Sequence, residues 1–394
     1  MNCRRKNNRK KVLLKMIVCL MVPFLFGSMR VEASEEEKQE ETAIEYGVSL
    51  MDTIDFSELD RFFAKEGDMS FQEMTELLLK EGTTDSLFSL MGELLKENLF
   101  REIEGNRKLL LEIVVIAVAF SILKNFVGVM ESAYISNVCF GMVYFLIGYM
   151  LLQSFQSLQG IMETTLGKCV EFMKMLVPTF CLTMVFSANG SSAGGFYQLA
   201  FVVIYLVEWI FLYVLLPIVH VYVMFVMVNH FMPEGRFHNF MDLCKTVVSW
   251  GIKTAGTVVL GLNVVQGLLA PAHDRLFHGG FSRMVSLIPG AGGIANSVGE
   301  IMLGAGMVVK NCVGVAGLVA LIGIGMIPCL KMLCIGFFYK LASAVTEPVT
   351  DKRISDCLKG MAEGASMYLR LLLYSIALFF LTLALATAST SYIF

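Results

Sequence analysis

Hydrophobic and polar positions divide the chain into three zones. A basic stretch leads into a short apolar run, a hydrophilic segment follows, and from residue 109 onward long apolar runs alternate with short polar loops. The apolar runs are 109–130, 136–156, 172–187, 196–231, 246–271, 300–327, 328–345 and 365–390. Most match or exceed the roughly 20 residues a helix needs to cross a bilayer core. The run 196–231 is too long for one upright helix. Pro217 inside it removes a backbone donor and crowds the preceding turn, which predicts a kink or a break into two spans. Pro328 stands in the same relation to the run 300–345. The pattern predicts an all-α polytopic membrane helix bundle of seven to ten segments over 109–394.

The N-terminal pattern reads as a targeting segment. Arg4, Arg5, Lys6, Arg9, Lys10, Lys11 and Lys15 precede the apolar run Met16–Met29, and Val31-Glu32-Ala33 places small side chains where a signal peptidase reads them. Cleavage is expected between Ala33 and Ser34, making 1–33 a signal peptide; an uncleaved signal anchor is the alternative. Either way, 34–108 is expected outside the cytoplasm. Arg101, Arg107 and Lys108 on that side run against the positive-inside rule, and the signal pattern takes precedence. Residues 34–42 hold too few apolar side chains to fold. Beyond them, Ser70-Phe71-Gln72-Glu73 fits a capping box, and Phe71, Met74, Leu77 and Leu78 then share one helical face until Gly82. Leu87, Leu90, Met91, Leu94, Leu95 and Leu99 continue the helical period. This small amphipathic segment is either a cap lying against the membrane or a docking surface for a partner.

Composition sharpens the membrane reading. The chain of 394 residues is 56% hydrophobic and 16% charged, with a mean hydropathy of +0.67. Soluble domains average about 25% charged residues, so a conventional cytosolic enzyme is excluded. A formal charge of −3 offers no basic surface for nucleic acid. The ten cysteines form no CxxC pair and mostly lie in apolar runs, where cysteine behaves as a small hydrophobe.

The candidate chemistry is sparse. Gly167-Lys168-Cys169 lacks the glycine and hydroxyl that a phosphate-binding loop requires, because Met162 and Cys169 occupy those places. Gly190-Ser191-Ser192-Ala193-Gly194 matches the GxSxG pattern but joins two helical runs, whereas a nucleophile elbow needs a strand before it. No HExxH occurs. No catalytic residue, cofactor site or metal site is expected.

Charges inside apolar runs are the exception. Glu112 and Lys124 lie near span ends and can snorkel, as can Lys331 just after Pro328. Glu208 and Lys310 are deeper, and Lys253 and Gln266 are further candidate intramembrane polar groups. A mid-bilayer charge costs at least about 2.5–3.5 kcal/mol, so it should face protein or water. Glu208 and Lys310 are therefore expected to face inward, beside polar groups such as Asn263, Gln266 or Asn311. A conduction path and a structural pair both remain open for them. The glycines between 288 and 325, among them Gly290, Gly292, Gly293, Gly304, Gly314 and Gly317, fit close helix packing, with irregular backbone lining a cavity as the alternative. Pro178 and Pro289 lie 111 residues apart, as do Pro217 and Pro328. An internal duplication of 178–231 and 289–345, with helix breaks at the prolines, is therefore a candidate.

Several stretches carry a resemblance. Val228-Asn229-His230, Ser249-Trp250-Gly251-Ile252-Lys253, Gly261-Leu262 and Gln266-Gly267-Leu268 resemble the stage III sporulation protein AE family of endospore-forming bacteria. Pro271 with Asp274, Ile288-Pro289-Gly290, the Gly304–Gly317 run and Glu347-Pro348-Val349-Thr350-Asp351-Lys352-Arg353 continue it, so that roughly 109–390 is covered. The resemblance implies a multi-pass protein of the mother-cell membrane facing the forespore. It implies partners among the other membrane proteins of the same sporulation operon, including a secretion-type ATPase, and a forespore membrane protein. The expected function is a non-enzymatic part of a channel or secretion-like complex supporting late forespore gene expression. A free-standing secondary transporter coupled through Glu208 or Lys310, and a pure scaffold, are the alternatives.

Overall fold

The computed structural model describes residues 49–51, 54–63, 70–81, 133–187, 191–231, 236–285, 292–348 and 352–389, with isolated helical positions at 111, 115 and 119. The signal segment with Ala33 and Ser34, the expectation for 34–42, the set Leu87–Leu99, most of the run 109–130, Pro289 and Gly290 lie outside the described residues. Every regular element among the described residues is helical. They are α1 (Ser57–Phe63), α2 (Phe71–Glu81), α3 (Ala133–Ser187), α4 (Ser191–Ile210), a π-helical turn (Phe211–Leu215), α5 (Leu216–Phe231), α6 (His238–Val285), α7 (Gly292–Thr346) and α8 (Lys352–Ser389).

The two short helices obey local rules. The Ser70 hydroxyl accepts the Glu73 N–H at 3.1 Å while the Glu73 carboxylate accepts the Ser70 N–H at 3.0 Å, a reciprocal capping box. Asp60 of α1 adds a third bond, accepting the Gln72 N–H at 3.0 Å. Ahead of α1, Asp55 accepts the Ser57 N–H at 2.9 Å. Hydrogen bonds from the Ser57 side chain and backbone hold the Asp55 carboxyl below its ordinary value. The apolar faces of α1 and α2 bury Leu59, Phe62, Phe71, Met74 and Leu78. Phe62, Phe63 and Phe71 surround Phe172 of α3, with ring centroids 6.1, 6.0 and 6.5 Å away.

The long helices form an antiparallel bundle. Tyr144 near the start of α3 donates to the Met227 carbonyl near the end of α5 at 2.6 Å. Ser343 near the end of α7 meets Ser355 near the start of α8 at 3.1 Å. These contacts gather the starts of α3 and α8 with the ends of α5 and α7, so α3 and α8 run opposite to α4–α5 and α7. Helix α8 is the hub, packing on α3, α4, α5, α6 and α7. Four described helices are long and apolar enough to span a membrane: Gln198–Phe231, His238–Gln266, Gly304–Thr346 and Lys352–Thr387. Their outer faces carry large apolar side chains, with Leu206, Trp209, Leu243 and Trp250 exposed, Trp250 by 68%; Lys253 and Arg370 are exposed charges among them.

The prolines do not divide the helices as expected. Pro178 lies within α3 and Pro328 within α7, each an uninterrupted helix of 55 residues. The runs 136–156 and 172–187 therefore belong to one helix, as do 300–327 and 328–345. Tertiary packing along both helices offsets the roughly 3 kcal/mol that an interior proline costs. At Pro217 the chain also continues, through a π turn: the Leu216 N–H donates to the Phe211 carbonyl five residues back. The wider turn gives the proline ring room beside the preceding carbonyls. The units 178–231 and 289–345 differ here. The first passes from α3 into α4, whereas the corresponding residues of the second lie inside α7.

Glycine sets how close the helices come. A Cβ on Gly314 would strike Thr387 of α8, and one on Gly317 would come within 2.9 Å of Leu176 of α3 and 3.0 Å of Leu383 of α8. Gly304 is different, since a Cβ there meets no described atom within 4 Å. The surroundings of Gly292 and Gly293, in the first turn of α7, lie outside the description. Gly360 and Gly364, one turn apart on α8, face Val226 and Val223 of α5. Gly364→Val should therefore lower detergent-solution stability by about 1–3 kcal/mol through overpacking. Gly323→Ala, where no described atom lies within 4 Å of the new methyl, should be neutral or slightly stabilising. Thermal unfolding of the two purified variants checks this; equal effects would contradict the close approach of α5 and α8.

Candidate functional site

Within the largely apolar bundle interior runs a ladder of polar pairs, most of them anchored on α8. Ser375 lies 2.7 Å from each oxygen of the Glu208 carboxylate on α4, and its hydroxyl donates into that fork. Glu208 is only 1% exposed. An isolated carboxylate in such a place would be prohibitively costly, and the serine supplies the compensating donor. Seven residues further along α8, two turns on the same face, Thr382 accepts from the Asn263 amide of α6 at 2.7 Å. Thr382 in turn donates to the Leu378 carbonyl at 3.1 Å. Gln266, one turn beyond Asn263, is also buried.

The other polar groups tie further helix pairs. Tyr339 of α7 donates to Ser154 of α3 at 2.7 Å. Toward the Tyr144 end of the bundle, Tyr222 of α5 donates to Glu363 of α8 at 3.1 Å, and Lys245 of α6 pairs with the same carboxylate. The Lys245 ammonium also lies 5.3 Å from the Tyr222 ring centroid, so three helices share one charge cluster.

The sequence-predicted residues separate into two groups. Glu208, Lys310 and Gln266 are buried, Lys310 completely. Lys253 is instead exposed on the outer face of α6, one turn from Trp250. The partner of Glu208 is Ser375, and Asn263 pairs with Thr382; the expectation that Glu208 would sit beside Asn263, Gln266 or Asn311 overlooked α8. A signal was present: Ser375 and Thr382 are seven residues apart, two helical turns, in the run 365–390. Glu208 is also followed within one turn by the π turn Phe211–Leu215, a local geometry that recurs at functional sites. Among the described residues, no three His, Cys, Asp or Glu side chains gather into a metal site. Ser191 and Ser192 open α4 and follow no strand among the described residues.

Long helices, largely apolar outer faces and buried polar groups paired between helices define a polytopic all-α membrane bundle. The family model described as stage III sporulation protein AE matches residues 69–390, and the chain belongs to that family. It is similar to the stage III sporulation protein AE of Bacillus subtilis (strain 168), 22% identical over 292 residues that cover 72% of each chain. No solved structure matches.

Thr382→Val keeps the side-chain volume and removes the hydroxyl that Asn263 meets. The expected loss of stability is about 0.6–1.7 kcal/mol, the range of interhelical hydrogen bonds in membranes. Adding Asn263→Leu should then cost little more, because it takes away the stranded amide. Denaturant titration in detergent checks this, and a strictly additive double variant would contradict the pair.

Proposed function

We propose that the chain is a non-enzymatic, multi-pass component of a channel or secretion-like sporulation complex linking mother cell and forespore, required for late forespore gene expression. Family membership across 69–390 carries the reading. The four span-length apolar helices support a place in a membrane, that of the mother cell in this reading. Its partners are the other membrane proteins of the same sporulation operon, including a secretion-type ATPase, and a forespore membrane protein. The segment 34–108 lies outside the cytoplasm, and α1 and α2 hold part of it against the bundle through Phe172.

Crosslinking and mass spectrometry on sporulating cells test the reading. The expected result is recovery of the operon-encoded membrane proteins with peptides from α1–α2 or the loops. Deletion should block sporulation after engulfment and leave vegetative growth unchanged. A vegetative uptake defect, with no operon-encoded partner crosslinked, would contradict the proposal and indicate a free-standing transporter.

A further inference from the structure

Helix α3 has an outer face unlike its neighbours. From 153 to 174 every exposed position is polar or glycine, including Gln156, Gly160, Glu163, Glu171 and Lys174 at helical spacing. At 1.5 Å per residue this stripe is about 33 Å long, close to the roughly 30 Å of a bilayer core. Apolar positions flank it: Phe145 and Tyr149 before, Leu182 after. The order is the reverse of a lipid-facing helix, which is apolar in the middle.

Ring contacts fix the depth of the stripe in the bundle. Phe155 stacks on Tyr368 of α8 at 5.1 Å and lies 6.4 Å from the His220 ring of α5. At the other end, Phe172 lies 6.1 Å from Phe379, and the Lys174 ammonium lies 5.5 Å from the Tyr205 ring centroid of α4. The stripe therefore runs alongside residues 205–220 of α4–α5. Over that interval α4–α5 exposes Leu206, Trp209, Tyr213 and Val214. At this depth the α4–α5 side is largely apolar, with Lys253 of the neighbouring α6 an exposed charge beside Trp250, whereas the α3 side is polar along the whole stripe. Lipid cannot solvate both, because a charge facing acyl chains is strongly disfavoured. Helix α1 packs beside the stripe at Phe172 and also shows charged residues outward, Glu58 and Arg61.

We propose that this face of α3 is the wall of a water-filled passage at bilayer depth. Its charges are of both signs, Glu163 and Glu171 against Lys168 and Lys174. A lining of one sign selects ions by charge; this one passes polar solutes without regard to the sign of their charge. The water-facing wall rests on the polarity of this face and its depth beside α4–α5. Only the use of the passage rests on the reading of the chain as a channel component.

Thiol accessibility in membranes of sporulating cells tests the proposal, using full-length protein and the unsubstituted chain as background. Gly160 and Gly167 have no described atom within 4 Å of an added Cβ, so cysteine fits at both. Gly160→Cys and Gly167→Cys should react with membrane-impermeant thiol reagents about tenfold faster than Leu206→Cys and Tyr213→Cys, since only a hydrated thiol ionises readily. Cationic and anionic reagents should react at similar rates. Failure of both glycine-site variants to react, while a membrane-permeant maleimide labels them, would overturn the passage and leave the sporulation-complex reading standing. Fast reaction at all four positions would place this level outside the bilayer and overturn the membrane placement itself. A strong preference for one reagent charge would overturn the unselective lining.

Discussion

Interior polar groups of a helix bundle in lipid have no water to fall back on, and the fold is arranged around that constraint. Its sharpest case is Glu208, a carboxylate that is 1% exposed and held by the Ser375 hydroxyl at 2.7 Å. Without the serine, α4 would carry an uncompensated carboxylate into an apolar interior. Because α8 supplies the serine, α8 must lie against α4. The same helix meets Asn263 of α6 through Thr382, Ser343 of α7 through Ser355, and Tyr222 and Lys245 through Glu363. One helix thus fixes the placement of its neighbours by polar pairing, at depths set by the spacing of its own side chains.

Polar pairing at 2.7 Å requires helix axes that approach closely, and glycine provides the approach. Gly314, Gly317 and Gly325 let α7 lie on α8, against Thr387, Leu383 and Ile376. Gly360 and Gly364 do the same for α8 on α5. In lipid, dispersion contacts of this kind replace the hydrophobic drive available in water. The π turn at Phe211–Leu215 belongs to the same arrangement. It lets one helix continue past Pro217 while Glu208, a turn earlier, keeps its aim at α8.

Much of this was legible in the sequence. The capping box at Ser70–Glu73 and the apolar face of α2 follow from residue types at fixed offsets, because both are local. The long apolar runs give helices, and the insertion cost of a charge places Glu208 and Lys310 inside. What the sequence left open is non-local. Proline signals a lost donor, yet whether a helix breaks there depends on what packs beside it, and α3 and α7 run through Pro178 and Pro328. Lys253 and Lys310 both lie in apolar runs, but one faces outward and the other is enclosed. The choice of Ser375 over Asn311 as the Glu208 partner is a matter of which helix lies opposite. The polar face of α3 was present as a period of three and four, hidden because runs 136–156 and 172–187 read as separate spans.

Helix α8 holds the bundle through interhelical polar pairs, and the Glu208–Ser375 contact is the most exacting of them. A double-mutant cycle of Ser375→Ala and Glu208→Leu, read as unfolding free energy in detergent, measures it directly. Ser375→Ala alone should destabilise by about 1–3 kcal/mol, since it strands a buried carboxylate. In the Glu208→Leu background the same substitution should cost almost nothing. If Ser375→Ala costs the same in both backgrounds, the two side chains do not support one another and the account of α8 as the organising helix is wrong.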